Sequence, residues 1–296
     1  MRNPFLFFLL LFLGFIHTCA RAQTPIKGVF IEARRQNQTL FLFGSIHLGK
    51  EDFYPLSPQI LHSFSRSDLL ALEVDLNAPS AELQQKVLSK AMLPPSTSLS
   101  DVLSKDTYSQ LKSFAEKINF SLPVLDRFKP WFAGLTLSIS SYKDMGLQEK
   151  LGLDHYFLGQ AKEKKLPVLG LETLEEQINL FDSLEYPDQE AFLLETIQEL
   201  KENPDDLSKL IHAWKIGDLS TLENFLLKKD QQTGFFKKFY AAIIYERNTK
   251  MAKKLLDLLE KKESETIFAV VGALHLVGEK GIIEILRSKN FVVTQH

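Results

Sequence analysis

The chain has 296 residues, 45% hydrophobic and 24% charged, with 35 Lys and Arg against 37 Asp and Glu for a formal net charge of −2. This near balance leaves no electrostatic footprint for nucleic acid, and a single cysteine, Cys19, excludes a disulfide framework. The length suffices for a sizeable core, as one large domain or a domain with a helical insertion.

Met1-Arg2-Asn3 is a short basic start, Phe5 to Ile16 is an apolar run, and Ala20-Arg21-Ala22 has the form of a cleavage site. Residues 1–22 are therefore predicted to be a secretory signal peptide, with Gln23 as the mature N-terminus. The run is short against the about 20 residues of a bilayer span, which argues against an uncleaved anchor. Ile16-His17-Thr18 places no small pair before Cys19, which argues against a lipoprotein. Cleavage removes Arg2, Arg21 and Cys19, moving the formal charge from −2 to −4 and leaving residues 23–296 without a thiol, so a cysteine nucleophile or metal ligand is excluded.

Val29–Ala33 and Leu40–Gly44 are predicted strands, joined as a hairpin by the polar segment 34–38. Leu69–Val74 is a third, apolar until Glu73. Helices are predicted over Pro79–Met92, from Ser100 to Asn119, from Pro130 to Met145 and from Gly152 to Lys165. A short strand, Leu166–Leu171, ends at Glu172-Thr173. Glu175 to Lys262 reads as helical, with breaks at Pro187, Pro204, Gly217 and Gly234. Thr266–Gly272 is the next strand, Lys280–Ser288 a helix and Phe291–Thr294 the last strand, while the run Lys261–Glu265 reads as a solvated helix end. Strands thus cluster at both chain ends, and the expected fold is α/β, a small mixed sheet built from both ends with a large helical middle region.

Two distant segments read almost alike. Gly44-Ser45-Ile46-His47-Leu48 and Gly272-Ala273-Leu274-His275-Leu276 each follow an apolar run suited to a strand buried on both faces. Each glycine is expected to permit a sharp turn, and each histidine then falls past a strand's end, where open α/β sheets place their ligand sites. If both strands share a sheet, the imidazoles can converge, as metal ligands or general bases. The order His47, Glu73, Glu172, His275 gives a weak mirrored symmetry of strand ends.

Glu73, between Leu72 and Val74, is costly to bury unless it is paired or bound to a cation; Asp75 is better placed for solvent. Arg247 falls inside an apolar stripe of Phe236, Tyr240, Ile244, Met251, Leu255 and Leu258. A guanidinium buried there needs a carboxylate, Glu73 for one, or an anionic ligand, or else is a structural ion pair. Glu246 and Asn248 are expected to point elsewhere. Glu172 resembles Glu73 in position, and alternatively complements a helix dipole beside Thr173. Asp154 reads as a helix cap rather than a ligand, His155 is ambiguous, and His62, His212 and His296 have no supporting neighbours. His-Glu-x-x-His, Gly-x-Ser-x-Gly, Walker and Gly-x-Gly-x-x-Gly signatures are absent.

With the paired Gly-x-x-His motifs come Glu73, Lys129-Pro130-Trp131, Gly152-Leu153-Asp154, Gly170-Leu171-Glu172-Thr173 with Gln177, Arg247-Asn248, Gly278 and Gly281. In that order, over residues 28 to 295, the set resembles the TraB/PrgY/GumN family, which includes the Tiki metalloproteases, and within it the exported GumN-type branch. The resemblance implies a fold akin to erythromycin esterase and the haem-binding ChaN proteins. It implies a site of His47, Glu73, Arg247 and His275 and a divalent cation, manganese or cobalt by resemblance, with zinc also suited to the residue types. The C-terminal spans of membrane-bound relatives are missing here, so no stable membrane span is expected after signal cleavage.

The expected function is an exported, periplasmic or secreted, metal-dependent hydrolase acting on peptide bonds. His47, His275, Glu73 and Glu172 are the expected metal ligands. Glu73 serves as ligand or general base, and Arg247 steadies an oxyanion or holds Glu73. Two alternatives stand beside it: a non-catalytic peptide- or haem-binding protein with a histidine as axial ligand, and a metal-independent hydrolase of the erythromycin-esterase type in which a histidine activates water. The substrate is a peptide or another small molecule.

Overall fold

The computed structural model describes residues 24–76, 81–230, 234–261 and 266–296. The predicted signal peptide, Cys19 and most of the Lys261–Glu265 run lie outside the described residues. Six strands form one sheet: β1 (Val29–Arg35), β2 (Gln38–Ser45), β3 (Leu69–Val74), β4 (Val168–Glu172), β5 (Thr266–Gly272) and β6 (Val292–Gln295), in the order β4-β3-β5-β2-β1-β6. β4, β3, β5 and β2 run parallel, while β1 pairs antiparallel with both β2 and β6. The sheet is mixed and drawn from both chain ends, as expected. In the centre, Leu40, Leu42, Leu70, Leu72 and Phe268 are fully buried, which is why these strands read as continuous apolar runs.

The helices are α1 (Pro58–Ser65), α2 (Ala81–Ala91), α3 (Leu99–Val102), α4 (Lys105–Lys117), α5 (Leu122–Leu125), α6 (Pro130–Asp144), α7 (Leu153–Lys164), α8 (Leu174–Asp182), α9 (Tyr186–Glu202), α10 (Asp206–Ile216), α11 (Leu219–Asp230), α12 (Gly234–Tyr240), α13 (Arg247–Glu260) and α14 (Ile282–Ser288). A π-helical segment, Ala241–Glu246, joins α12 to α13. The helical stretch predicted from Ser100 to Asn119 is two helices: Ser104 breaks it and caps α4, its hydroxyl accepting the Thr107 N–H at 3.2 Å. Pro187 begins α9 rather than interrupting a helix, and Gly217 ends α10 at φ +74. Lys165, at φ 54, ends α7, so β4 starts later than its apolar run.

One core surrounds the sheet, with Phe30, Phe43, Phe64, Phe157 and Phe268 among its buried rings. A second lies within the helical middle, where Leu111, Phe114, Leu125, Leu137, Leu193 and Ile197 pack together. At the carboxyl ends of the parallel strands, a cavity of 640 Å³ is walled by His47, Glu73, Val74, α6, α8 and Leu207.

The loop after β2 reaches this cavity because two glycines let backbone touch backbone. Gly49 exchanges N–H···O bonds of 2.9 and 2.8 Å with Gln148. A Cβ on Gly49 would lie 1.8 Å from the Leu151 carbonyl oxygen, and one on Gly152 would lie 2.0 Å from that of His47. Neither clash is with a flexible side-chain end. Gly152→Ala is therefore expected to cost about 2–3 kcal/mol, read as a lower urea midpoint. Gly159→Ala is the control: a Cβ on this exposed α7 glycine meets nothing within 4 Å, so the substitution should add about 0.5–1 kcal/mol.

Candidate active site

The parallel strands end together, Ser45 opposite Gly272 and Val74 opposite Glu172. Their terminal residues therefore meet at one edge of the sheet, where His47, Glu73, Glu172 and His275 all lie. Gly272 is not a left-handed turn residue; its φ is −51. It is needed for proximity, since a Cβ there would lie 3.1 Å from Glu73 Oε1 and 3.4 Å from the His275 ring, while its N–H donates to Glu73 Oε1 at 2.5 Å.

Arg247 enters from the start of α13 and bridges the two glutamates. Its Nε donates to Glu172 Oε1 and Oε2 at 3.1 and 2.9 Å, its Nη2 to Glu73 Oε2 at 2.7 Å, and its Nη1 to the Ile243 carbonyl at 3.1 Å. Gln177, from the first turns of α8, donates to Glu73 Oε2 and Glu172 Oε2, both at 3.2 Å. The side chains of Glu73 and Glu172 are 5% and 6% exposed. Two buried carboxylates thus share one guanidinium, which settles the opening left by the sequence: Arg247 pairs with carboxylates of the protein. Glu172 turns its oxygens to Arg247 and Gln177, while the N-terminus of α8 is closed by a capping box between Thr173 and Glu176.

The histidines are anchored through Nδ1. His275 Nδ1 lies 2.6 Å from Asn248 Oδ1, and because Asn248 Nδ2 donates to the Lys280 carbonyl at 2.9 Å, its Oδ1 is the acceptor. His47 Nδ1 lies 3.0 Å from Asp154 Oδ2. Both rings therefore turn Nε2 toward Glu73, at 3.7 Å from Oε1 for His275 and 4.0 Å from Oε2 for His47. His275 is buried, whereas the His47 side chain is 64% exposed at the cavity wall.

Two expectations change here. Asp154 does not cap α7, whose N-cap is Gly152; it is buried and orients His47. Asn248 does not point away; it is fully buried and orients His275. The π segment before Arg247 breaks the phase of the predicted stripe. The buried face of α13 includes Asn248, Met251, Ala252, Leu255, Leu258 and Leu259, so the predicted stripe holds at Met251, Leu255 and Leu258 with Arg247 at its margin, while Phe236, Tyr240 and Ile244 ahead of it are half-buried. Among the residues sequence reading left aside, His155 lies on the cavity rim, His62 and His212 are exposed, and His296 pairs with Glu32 at 3.1 Å.

The electrostatics divide the histidines. Burial pushes His275 down to about 4, against the attraction of Glu73, so this ring is neutral at pH 7. Burial also opposes charge on His47, but the Asp154 hydrogen bond and the charges of Asp154 and Glu73 outweigh it and raise the ring to about 9. Burial would raise Glu73, yet His275, His47, Arg247 and the Gly272 N–H together hold it at about 2. With His275 neutral, Arg247, His47 and the Gly272 N–H carry that effect near neutral pH.

Two imidazole Nε2 atoms and a carboxylate are a donor set that suits a borderline divalent cation. Anchoring each Nδ1 on an oxygen acceptor is the arrangement that orients metal-binding histidines. In donor chemistry the residues fit. As they stand, the histidines face different oxygens of Glu73, and no group of three or more His, Cys, Asp or Glu among the described residues is drawn together as an ion site. Both oxygens of Glu172 are engaged by Arg247.

The model of the TraB/PrgY/gumN family matches residues 29–295, and the chain belongs to that family. The uncharacterized protein YbaP of Escherichia coli is 26% identical over 257 residues, covering 85% of this chain and 89% of its own length. Metalloprotease TIKI1 of Danio rerio is 24% identical over 321 residues, covering 92% of this chain and 64% of its own length. Metalloprotease TIKI2 of Xenopus tropicalis is 24% identical over 310 residues, covering 89% of this chain and 59% of its own length. The chain spans less than two thirds of these two metalloprotease relatives. No solved structure matches. Among the described residues, no helix is long and apolar enough to cross a membrane.

Arg247→Met keeps the volume but strands two buried carboxylates. It is expected to lower stability by about 3–5 kcal/mol in chemical denaturation. Arg247→Lys should recover only part of the loss, because one ammonium cannot reproduce the Nε and Nη2 fork.

Proposed function

We propose that this chain is a metal-dependent hydrolase acting on peptide bonds in the cavity at the carboxyl edge of the sheet. The observation that supports this most is the pair of imidazoles, each tied through Nδ1 and each turning Nε2 toward one buried carboxylate. The metalloprotease names of two relatives support the reaction class. The segment 1–22 supports export to the periplasm or beyond.

His47, His275 and Glu73 would hold the cation, and Glu172 would serve them by fixing Arg247. A divalent cation bound there supplies Lewis acidity, polarising a carbonyl and lowering the pKa of water. Glu73, kept anionic, would ligate through Oε1, which accepts the Gly272 N–H, while Oε2 is engaged by Arg247 and Gln177. Asp154 and Asn248 keep both Nε2 atoms aimed inward, so no ring must reorient, although His47 would have to give up its proton to hold a cation. Arg247 keeps Glu73 in place and lends positive charge close to where an oxyanion would develop.

A second reading is favoured by one observation. His47 and Asp154 already form a His–carboxylate pair at 3.0 Å with Nε2 facing the cavity, the arrangement of a general base that, once the ring gives up the proton that Asp154 helps it hold, could deprotonate water without a metal.

The expected outcome for the purified mature protein is bound divalent metal by elemental analysis and cleavage of peptides that stops on chelation and returns with manganese, cobalt or zinc. The His47→Ala/His275→Ala double variant should lose both metal and turnover, and Asp154→Asn should lose about 10–100-fold in metal affinity or activity. Turnover that survives exhaustive chelation would move the assignment to the second reading. Retention of both metal and turnover in the double variant would discard the site.

A further inference from the structure

Helix α6 has more apolar surface than its own packing uses. Ala133, Gly134 and Leu137 are buried, with Gly134 close against Phe192 of α9. A second face, Leu135, Ser138, Ile139 and Tyr142, recurs at the i, i+3, i+4, i+7 spacing of one helical stripe and lines the cavity. Ile139 is 44% exposed, although it sits in the interior of a helix. Across the cavity Leu76 and Leu207 present further aliphatic surface. A large aliphatic side chain exposed in a concave wall contributes little to folding and is well suited to a ligand.

Carboxylates predominate among the charged groups of the same cavity. Glu73, Glu149 and Asp154 line it, and no Lys or Arg does among the described residues. Arg247 lies behind Glu73 and Glu172, with its guanidinium already engaged. The Glu149 side chain is 75% exposed at the rim and 3.7 Å from His155. An anionic group entering at the α6 wall gives up its hydration against leucine and isoleucine, and the cationic side chain of the lining, His47, is already paired with Asp154 and faces Glu73. An uncharged apolar group loses nothing by the same move.

We propose that the α6 wall is the subsite for an uncharged, apolar side chain of the substrate next to the reacting bond, with Leu135 and Ile139 as its specificity-determining residues, and that acidic side chains are rejected there. The proposal takes its reacting bond from the hydrolase reading above, while its binding preference is independent of turnover. The 640 Å³ of the cavity suffices for one large side chain with its flanking backbone.

The test uses the mature protein and synthetic peptides identical except at one position, occupied by Leu, Phe, Ser or Asp in a Gly/Ser background. Cleavage is followed by mass spectrometry and binding by calorimetry, the latter also with His47→Ala. The Leu and Phe peptides should bind roughly tenfold or more tightly than the Asp peptide. Ile139→Asp and Leu135→Asp should remove that preference by raising KM with little change in kcat, while Ile139→Val keeps it. If Ile139→Asp does not give a native melting transition, Ile139→Ser replaces it. Cleavage or binding without preference, or a preference unchanged in the Ile139 and Leu135 variants, overturns the subsite alone. A preference for Leu and Phe that depends on Ile139, with no peptide cleaved, upholds the subsite and removes the peptidase reading. No binding of any peptide overturns the subsite as well.

Discussion

The ion cluster of Arg247, Glu73 and Glu172 is the constraint on which the site depends. Two carboxylates and a guanidinium buried together carry a large desolvation cost, offset only when the geometry satisfies nearly every donor and acceptor. Here it does: both glutamates receive Arg247 and Gln177, and Glu73 also receives the Gly272 N–H. Because the partners come from β3, β4, β5, α8 and α13, the cluster fixes the relative placement of five elements at the sheet edge. An apolar cluster of the same size could stabilise the fold as well, but it would not hold a carboxylate ionised between two imidazoles.

The histidines are placed by a different means. His47 reaches the cavity on a loop whose backbone lies against residues 148–152, at contacts that admit no Cβ on Gly49 or Gly152. The same segment leads into α7 and delivers Asp154 to His47. One close packing of loop on loop thus sets both the ring and its anchor. On the other side, α13 delivers Asn248 to His275 and Arg247 to Glu73 from adjacent residues. Adjacent side chains on a helix diverge by about 100°, so α13 can supply both only by lying with its first turn against the end of β5.

His47, Glu73, Arg247 and His275 were legible in the sequence because each breaks a pattern: a polar residue at or past the end of a buried strand, or a charge within an apolar stripe. The parallel pairing of β2 with β5, which brings the two histidines together, needed the structure, as periodicity says nothing of which strands pair. Asp154 and Asn248 were misplaced for local reasons. An aspartate in the first turn of a helix ordinarily serves the helix end, and the helical phase that should have placed Asn248 inward is shifted by the π segment at 241–246. Such segments are common near functional sites, where a change of phase directs a side chain that a regular helix would aim elsewhere. The break at Ser104 was readable as a cap, but the surrounding helix-forming residues masked it.

The position of the cavity at the carboxyl edge of the sheet, beneath α6, joins these features into one account. The sheet core supplies rigid strand ends and hence the polar floor, where Glu73 and both Nε2 atoms are held by bonds that leave them little freedom. Helix α6 of the helical middle supplies the apolar wall and contributes no charged group to the floor, whose Asp154 and Arg247 come from α7 and α13. The division lets the two surfaces meet different demands. Groups on the floor must stay fixed to within a fraction of an ångström for proton transfer or ligation, whereas the wall need only offer shape and exclude water. A change on α6 therefore alters what enters the cavity while leaving the arrangement of Arg247, Glu73 and the histidines intact, because no hydrogen bond of the floor passes through Leu135 or Ile139.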